Sequence, residues 1–154
     1  MKTIKKEAFH LTGITLKKKT FNANGQSSID CGSLWQEFEN RNVAAHIPNR
    51  LGDEVYAVYY DYEGDHTKPY SYFIGCRIEE NAQTPEGLNE LFIPEAIYQY
   101  CESKGKMPDC VAQAWRQIWL SDIDRAYKYD FEIYDRRSRN WEHAEVDIFL
   151  SLKD

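Results

Sequence analysis

Apolar and polar residues alternate along several short segments of the chain, with the period of two that is typical of strands. This alternation predicts strands over residues 9–16, 55–62, 70–78, 96–102, 128–134 and 146–152. Across Gly13 the apolar phase of the first strand shifts from odd to even positions. We expect a β-bulge there, because one extra residue would restore the inward face.

Two other segments have apolar residues at helical spacing. In the first, Ser33 and Gln36 have the form of a capping box, so a helix is expected to begin at Ser33 or nearer Ser28. The second helix opens at Pro108. Its apolar stripe consists of Val111, Ala114, Trp115, Ile118 and Trp119.

The predicted order of strand, helix, strand, strand occurs twice, which indicates an internal duplication. The matched positions lie roughly 75 to 80 residues apart: Trp35 with Trp115, Tyr59 and Tyr60 with Glu132 and Tyr134, and Ile74 with Phe149. We therefore predict an α+β fold, a duplicated βαββ unit with half-repeats over residues 7–80 and 91–153. The two halves should form an antiparallel sheet with both helices on one face and a ligand groove between the halves on the other.

Composition limits the class of protein. The 154 residues predict a single domain, 1–154, and the net charge of -6 argues against nucleic acid as the main partner while modestly favouring cations. Four cysteines without a C-x-x-C pair predict no zinc or thioredoxin-type site and fit reduced thiols in the cytoplasm. No apolar run is long enough for a signal peptide or a membrane helix. No metal or cofactor motif is present, so none is predicted.

The segment Asp130–Tyr134 contains the main candidate for chemistry. If Phe131 and Ile133 face the core, Glu132 and Tyr134 share the opposite face. A carboxylate beside an aromatic ring suits an organic cation, although a solvated strand face has the same pattern. Aromatic residues make up 14% of the chain, enough to build an aromatic cage as well as a core.

Short motifs along the whole chain, from about residue 7 to 152, occur in the order of a known family. They are Phe9-x-Leu11-x-Gly13-Ile14, Leu34-Trp35-x-x-Phe38, Tyr56-Ala57-Val58, Tyr72-x-Ile74-Gly75, Pro108-x-x-Val111-x-x-x-Trp115-x-x-Ile118-Trp119, Asp130-Phe131-Glu132-x-Tyr134 and Val146-Asp147-Ile148. In this order they resemble the gyrase-inhibitor-like small-molecule-binding domains, which include the effector-binding domains of AraC-type and MerR-type multidrug-responsive transcription activators.

The resemblance implies a groove lined by aromatic residues with a glutamate at its base, used by several members to bind lipophilic cations. The family's glutamate falls on Glu132 and its second-helix tryptophan on Trp115. Members that bind DNA carry a separate helix-turn-helix region, which this chain lacks, so we expect a stand-alone module without direct nucleic-acid binding. A separate protein partner or a homodimer is compatible with that expectation.

We therefore expect a small-molecule-binding module for lipophilic or aromatic cations, without catalytic residues. The predicted ligand-binding residues are Glu132, Tyr134, Trp115, Trp119, Phe149, Phe73, Tyr60 and Tyr98. For the two tryptophans, a place in the core is the competing interpretation. For the protein, the alternatives are a hydrolase in which Glu132 is the general base and a protein inhibitor of the gyrase type.

Overall fold

The computed structural model describes residues 2–154, which form eight strands and two α-helices. The first half contains β1 (Lys2–Lys6), β2 (Phe9–Thr15), α1 (Gln26–Asn40), β3 (Val55–Tyr60) and β4 (Ser71–Ile78). The second half contains β5 (Asn89–Ile93), β6 (Ala96–Gly105), α2 (Asp109–Trp119), β7 (Asp130–Tyr134) and β8 (Ala144–Ser151). The predicted α+β class is confirmed. Neither helix has the length and apolar character needed to cross a membrane, within the described residues.

All eight strands belong to one antiparallel sheet, in the order β1-β6-β8-β7-β3-β4-β2-β5. Exchanging each strand of one half for its counterpart in the other half reverses this order and otherwise leaves it unchanged. The topology therefore has the two-fold pseudosymmetry that a duplication produces. Each half also has an edge strand that we did not predict, β1 or β5, and each pairs with the first long strand of the other half.

The sheet is strongly curled. Residues 7 and 8 alone join β1 to β2, although these strands lie near opposite ends of the sheet. Phe9 on β2 and Phe131 on β7 are three strands apart, which in a flat sheet would be about 14 Å. Their ring centroids are nevertheless only 5.5 Å apart. The curl therefore encloses the inner face of the sheet.

The two faces of the sheet have different contents. The enclosed inner face holds an aromatic cluster that includes Phe9, Tyr56, Phe73, Tyr98, Phe131 and Phe149. The outer face carries the helices: Leu34 and Phe38 of α1 pack over β2, β3 and β4, and Trp115 and Ile118 of α2 pack over β8. Burial on both faces explains why the chain needs so many aromatic residues.

Gly13 does not form the predicted bulge. The pairing of β2 with β4 is continuous from His10 to Thr15. Leu11 packs into the inner cluster and Ile14 packs against α1, so the apolar phase changes because the strand is buried on both faces. Gly13 lies opposite Gly75, and a Cβ atom at either position would overlap backbone of the neighbouring strand.

Of the two starts expected for the first helix, the one nearer Ser28 is confirmed, because α1 begins at Gln26; Ser33 lies inside the helix and caps nothing. One assignment in the repeat needs correction. Ala57 and Glu132 pair with each other across the two central strands and are equivalent in the repeat. Ala57 pairs with Ile74 and Glu132 pairs with Ile148, so the repeat partner of Ile74 is Ile148 and not Phe149. A shift of one residue in a strand moves every side chain to the other face.

Candidate functional site

A groove of about 1140 Å³ lies between α1 and α2 on the helix-bearing face of the sheet. We had expected it on the face without helices, but that face is closed by the curl of the sheet around its aromatic cluster. The α1 wall includes Cys31, Gly32 and Trp35, the α2 wall includes Val111, Trp115 and Trp119, and the floor includes Val55, Tyr59 and Tyr134. All four tryptophans of the chain border this groove.

Glu132 lies beneath the floor, in a row of outward-facing residues that crosses six strands. The register places Ile14, Ile74, Ala57, Glu132, Ile148 and Cys101 side by side in that row. Glu132 is the single charged member, and it is 1% exposed. Burial of a carboxylate requires hydrogen-bond donors, and the groove-lining residues provide them.

Three neutral donors reach the Glu132 carboxylate. Trp115 Nε1 donates to Oε2 at 2.6 Å and Tyr59 Oη donates to the same oxygen at 2.9 Å. Tyr134 Oη donates to Oε1 at 2.7 Å. Within residues 2–154 no lysine, arginine or histidine forms an ion pair with Glu132. The carboxylate therefore has hydrogen bonds but no countercharge.

Burial dominates the electrostatics of this site. Desolvation raises the pKa of Glu132, and the hydrogen bonds from Trp115, Tyr134 and Tyr59 oppose that rise. Burial and the nearby Glu132 charge hold the pKa of the Tyr59 and Tyr134 hydroxyls well above the ordinary range, so both stay protonated as donors. A positive charge that approached from the groove would stabilise the ionised form of Glu132.

Tyr59 and Tyr134 occupy equivalent positions in the two halves, because Ala57 and Glu132 pair across the central strands. Each tyrosine ring is covered by the tryptophan of the other half's helix. Trp115 lies 4.7 Å from Tyr59 and Trp35 lies 4.9 Å from Tyr134, measured between ring centroids. The result is a pseudosymmetric aromatic cage above one asymmetric charge.

The structure brings together half of the predicted ligand-binding residues. Tyr134, Trp115 and Trp119 line the groove, and Glu132 accepts hydrogen bonds from three groove-lining residues, Trp115, Tyr134 and Tyr59.

The other four predicted residues, Phe149, Phe73, Tyr98 and Tyr60, belong to or pack against the aromatic cluster on the inner face. They do not line the groove. Phe149 pairs with Phe131 and not with Glu132, and Phe73 pairs with Val58, which is also buried in the inner cluster. The Tyr60 hydroxyl bonds to Thr15 Oγ1 at 2.8 Å.

Tyr59 and Trp35 are groove residues that we did not select from the sequence. Both had a signal in the duplication, since Trp35 matches Trp115 and Tyr59 lies one repeat before Tyr134. That the Tyr59 hydroxyl bonds to Glu132 can be deduced only when the register between β3 and β7 is known.

Arg125, which borders the groove, forms a buried ion pair that the sequence pattern does not predict. Arg125 Nη2 lies 2.8 Å from Asp130 Oδ2, and these side chains are 4% and 0% exposed. Asp130 also accepts hydrogen bonds from Tyr62 Oη and from the backbone N–H and hydroxyl of Ser151. Of these residues, Arg125 and Tyr62 border the groove.

The part of the groove that the structure describes offers no site suited to a metal. Within residues 2–154, no three His, Cys, Asp or Glu side chains are placed to hold a metal ion. Cys31 lines the groove, but burial and the Glu132 charge raise the pKa of its thiol, which disfavours the thiolate. What the geometry offers a ligand is therefore an aromatic surface above a buried anion.

The family model of Cass2, the integron-associated effector binding protein, matches residues 3–151. The chain belongs to this Cass2 family. Among curated proteins it is 25% identical over 125 residues to YobU of Bacillus subtilis (strain 168), which is named as a proposed transcriptional regulator. That match covers 79% of this chain and 78% of YobU.

Solved structures share the fold of this Cass2 family member along its whole length. The integron cassette protein VCH_CASS2 from the mobile metagenome of Vibrio cholerae is 24% identical, with a TM-score of 0.74 over 99% of this chain and 95% of that one. The protein SAV2435, solved with bound tetraphenylphosphonium, is 18% identical, with a TM-score of 0.79 over 99% and 93%. The predicted resemblance to small-molecule effector-binding domains is confirmed.

Proposed function

We propose that this chain binds lipophilic aromatic cations in the groove above Glu132 and acts as an effector-binding module without catalysis. The observation that carries the proposal is a buried carboxylate with three neutral donors and no countercharge among residues 2–154, beneath a floor and walls of aromatic rings.

Desolvation disfavours the ionised form of Glu132, and a bound cation reverses that penalty. Each aromatic face adds about 0.5 to 2 kcal/mol of cation–π attraction. Trp35, Tyr59, Trp115 and Tyr134 offer four such faces around one carboxylate. Together they are expected to give roughly micromolar affinity without shape-specific hydrogen bonds, so that cations of different shapes bind.

The tetraphenylphosphonium bound to SAV2435 supports the choice of that cation as the first probe. It is permanently charged, has no titratable group and carries four phenyl rings. Neutral triphenylphosphine oxide is a suitable comparison, since it keeps three of the rings without the charge.

Binding fits Glu132 better than hydrolysis does. A general base must reach a water molecule or a substrate proton, but both Glu132 oxygens are already bonded to the groove-lining residues and the side chain is 1% exposed. The same hydrogen bonds hold the carboxylate below the aromatic floor, where its negative charge can attract a cation in the groove. We therefore expect no turnover of esters or alkylating electrophiles above the uncatalysed background.

Calorimetric titration of the protein with tetraphenylphosphonium and with triphenylphosphine oxide tests the proposal. We expect saturable binding of the cation at roughly micromolar concentration and at least tenfold weaker binding of the neutral compound. Equal affinity for both compounds, or ester turnover that disappears in Glu132→Gln, would contradict it.

A further inference from the structure

Arg125 has hydrogen-bonding capacity that the protein does not use. The side chain borders the groove and is 4% exposed, and its Nη2 donates to Asp130. Its Nε and Nη1 atoms are buried and have no hydrogen-bond partner within residues 2–154. A buried charged N–H group without an acceptor is costly, and such groups are rare unless a ligand or water completes them.

The aromatic neighbours of Arg125 do not supply the missing acceptor. The guanidinium carbon lies 4.2 Å from the ring centroid of Tyr127 and 5.6 Å from that of Trp115. These rings attract the positive charge, but neither provides an oxygen for the N–H groups. This attraction explains why the guanidinium lies between the rings, but it leaves the Nε and Nη1 donors without an acceptor.

The duplication shows that the fold itself does not require a buried arginine here. Arg50 and Arg125 form equivalent isolated bridges, with Ile78 and Leu152 respectively. Arg50 is exposed, and Val55 occupies the position in the first half that Asp130 occupies in the second. The ion pair is therefore a feature of the second half alone, as is Glu132, whose counterpart is Ala57.

Both asymmetric charges adjoin the same groove residue. Trp115 Nε1 bonds to Glu132, and the ring of Trp115 lies beside the Arg125 guanidinium. A ligand that packs on Trp115 can therefore approach the carboxylate with its positive part and the guanidinium with another part.

The charges decide which group suits Arg125. Glu132 and Asp130 contribute two negative charges and Arg125 one positive charge, so one ligand cation makes the set neutral. A ligand carboxylate would restore a buried net negative charge, whereas a carbonyl oxygen would accept the N–H groups without adding charge. We propose that Arg125 is a second recognition site in the groove and selects aromatic cations that also carry a neutral acceptor oxygen, such as a ketone, ester or amide. This inference rests on the proposed function.

Three triphenylphosphonium cations of closely matched size form the test, differing in their fourth substituent: 4-methylpentyl, 4-oxopentyl or 3-carboxypropyl. Their dissociation constants are measured by calorimetry with the wild type, Arg125→Lys and Arg50→Lys. Lysine at 125 keeps a positive charge for Asp130 but lacks the guanidinium fork, and Arg50→Lys makes the same change at the equivalent exposed position.

In the wild type and in Arg50→Lys we expect the 4-oxopentyl cation to bind roughly three- to tenfold more tightly than the 4-methylpentyl cation. The 3-carboxypropyl compound should bind more weakly than the ketone. In Arg125→Lys the preference for the ketone should disappear while the 4-methylpentyl cation still binds.

Equal affinity for the ketone and the alkyl compound in the wild type, or a preference unchanged in Arg125→Lys, would overturn the inference and leave the proposed function intact. Failure of all three cations to bind would refute both. If circular dichroism shows that Arg125→Lys does not fold, the crystal structure of the wild type with the 4-oxopentyl cation decides. A ketone oxygen bonded to Nε or Nη1 of Arg125 supports the inference, and an ordered water there overturns it.

Discussion

Replacing Glu132 with Gln removes one negative charge and keeps the shape of the side chain. Trp115 Nε1 can only donate, so the new amide oxygen must take the Oε2 position, where Tyr59 also continues to donate to it. The amide nitrogen then faces Tyr134, whose hydroxyl can turn to accept. The fold and the aromatic cage should therefore survive. Any change in ligand affinity then reports the charge itself.

The size of the effect follows from the position of the carboxylate under the rings. The tyrosine hydroxyls contact the carboxylate at 2.7 and 2.9 Å, and their rings line the groove floor. A cation resting on those rings would therefore be roughly 7 Å from the negative charge, and at an effective dielectric constant of about 20 the attraction is about 2.4 kcal/mol. That free energy corresponds to roughly a fiftyfold change in Kd.

Isothermal titration calorimetry with tetraphenylphosphonium measures this change, and urea unfolding of both proteins checks that the fold is retained. Glu39→Gln is the matched control: Glu39 is an exposed carboxylate on the wall of the same groove. Its charge is screened by solvent, so its removal should weaken binding by less than about twofold. Triphenylphosphine oxide should bind the wild type and Glu132→Gln alike.

A Kd for tetraphenylphosphonium that is the same within about twofold in the wild type and in Glu132→Gln would refute the electrostatic reasoning. An equal loss for the cation and for the neutral phosphine oxide would also refute it, because the variant would then have altered the shape of the groove.

Three further predictions follow from the same contacts. Trp115→Phe removes the 2.6 Å hydrogen bond to Glu132, so we expect a further rise in the pKa of Glu132 and several-fold weaker cation binding. The ligand-induced change in fluorescence should also be smaller. Trp141, at the rim of the groove and 59% exposed, is the control, and equal losses in Trp141→Phe would contradict this prediction. Phe149→Leu should lower the free energy of unfolding by about 1 to 2 kcal/mol in urea and leave cation affinity unchanged, because Phe149 lies on the inner face; weakened binding would place it at the groove. Burial raises the pKa of Glu132, so over a window above the ordinary glutamate pKa the folded protein holds a proton that the unfolded chain has lost, and stability falls as pH rises through that window. The stability of Glu132→Gln relative to the wild type should therefore grow as the pH rises above the ordinary glutamate pKa of about 4.3, and a difference independent of pH would contradict the assignment.

The sequence was sufficient to predict both helices, six of the eight strands and the orientation of Glu132. These elements have clear periods, and Phe131 and Ile133 alternate unambiguously with Glu132. The missed edge strand β1 consists of mostly exposed residues, so it has no apolar alternation. Its pairing partner, β6, lies in the other half of the chain.

The errors among the aromatic residues also have a physical cause. β3 and β8 are largely buried on both faces, so apolar residues occupy odd and even positions alike and the sequence of either strand carries no phase. The pattern therefore favours Tyr60 in place of Tyr59, and it puts Phe149 on the face of Glu132, which Ile148 occupies in the structure. The prediction that the groove lies on the face without helices is wrong, because nothing in the local pattern indicates how strongly the sheet curls.

The central claim is that a cation occupies the groove above Glu132, and an anomalous diffraction experiment tests it most directly. Crystals of the protein would be soaked with tetraphenylarsonium, whose arsenic atom marks the centre of the cation. The account predicts one strong anomalous peak between α1 and α2, over the rings of Tyr59 and Tyr134 and within roughly 8 Å of the Glu132 carboxylate. A peak confined to the inner aromatic face or to the exposed surface around Trp141, with the groove empty, would contradict it.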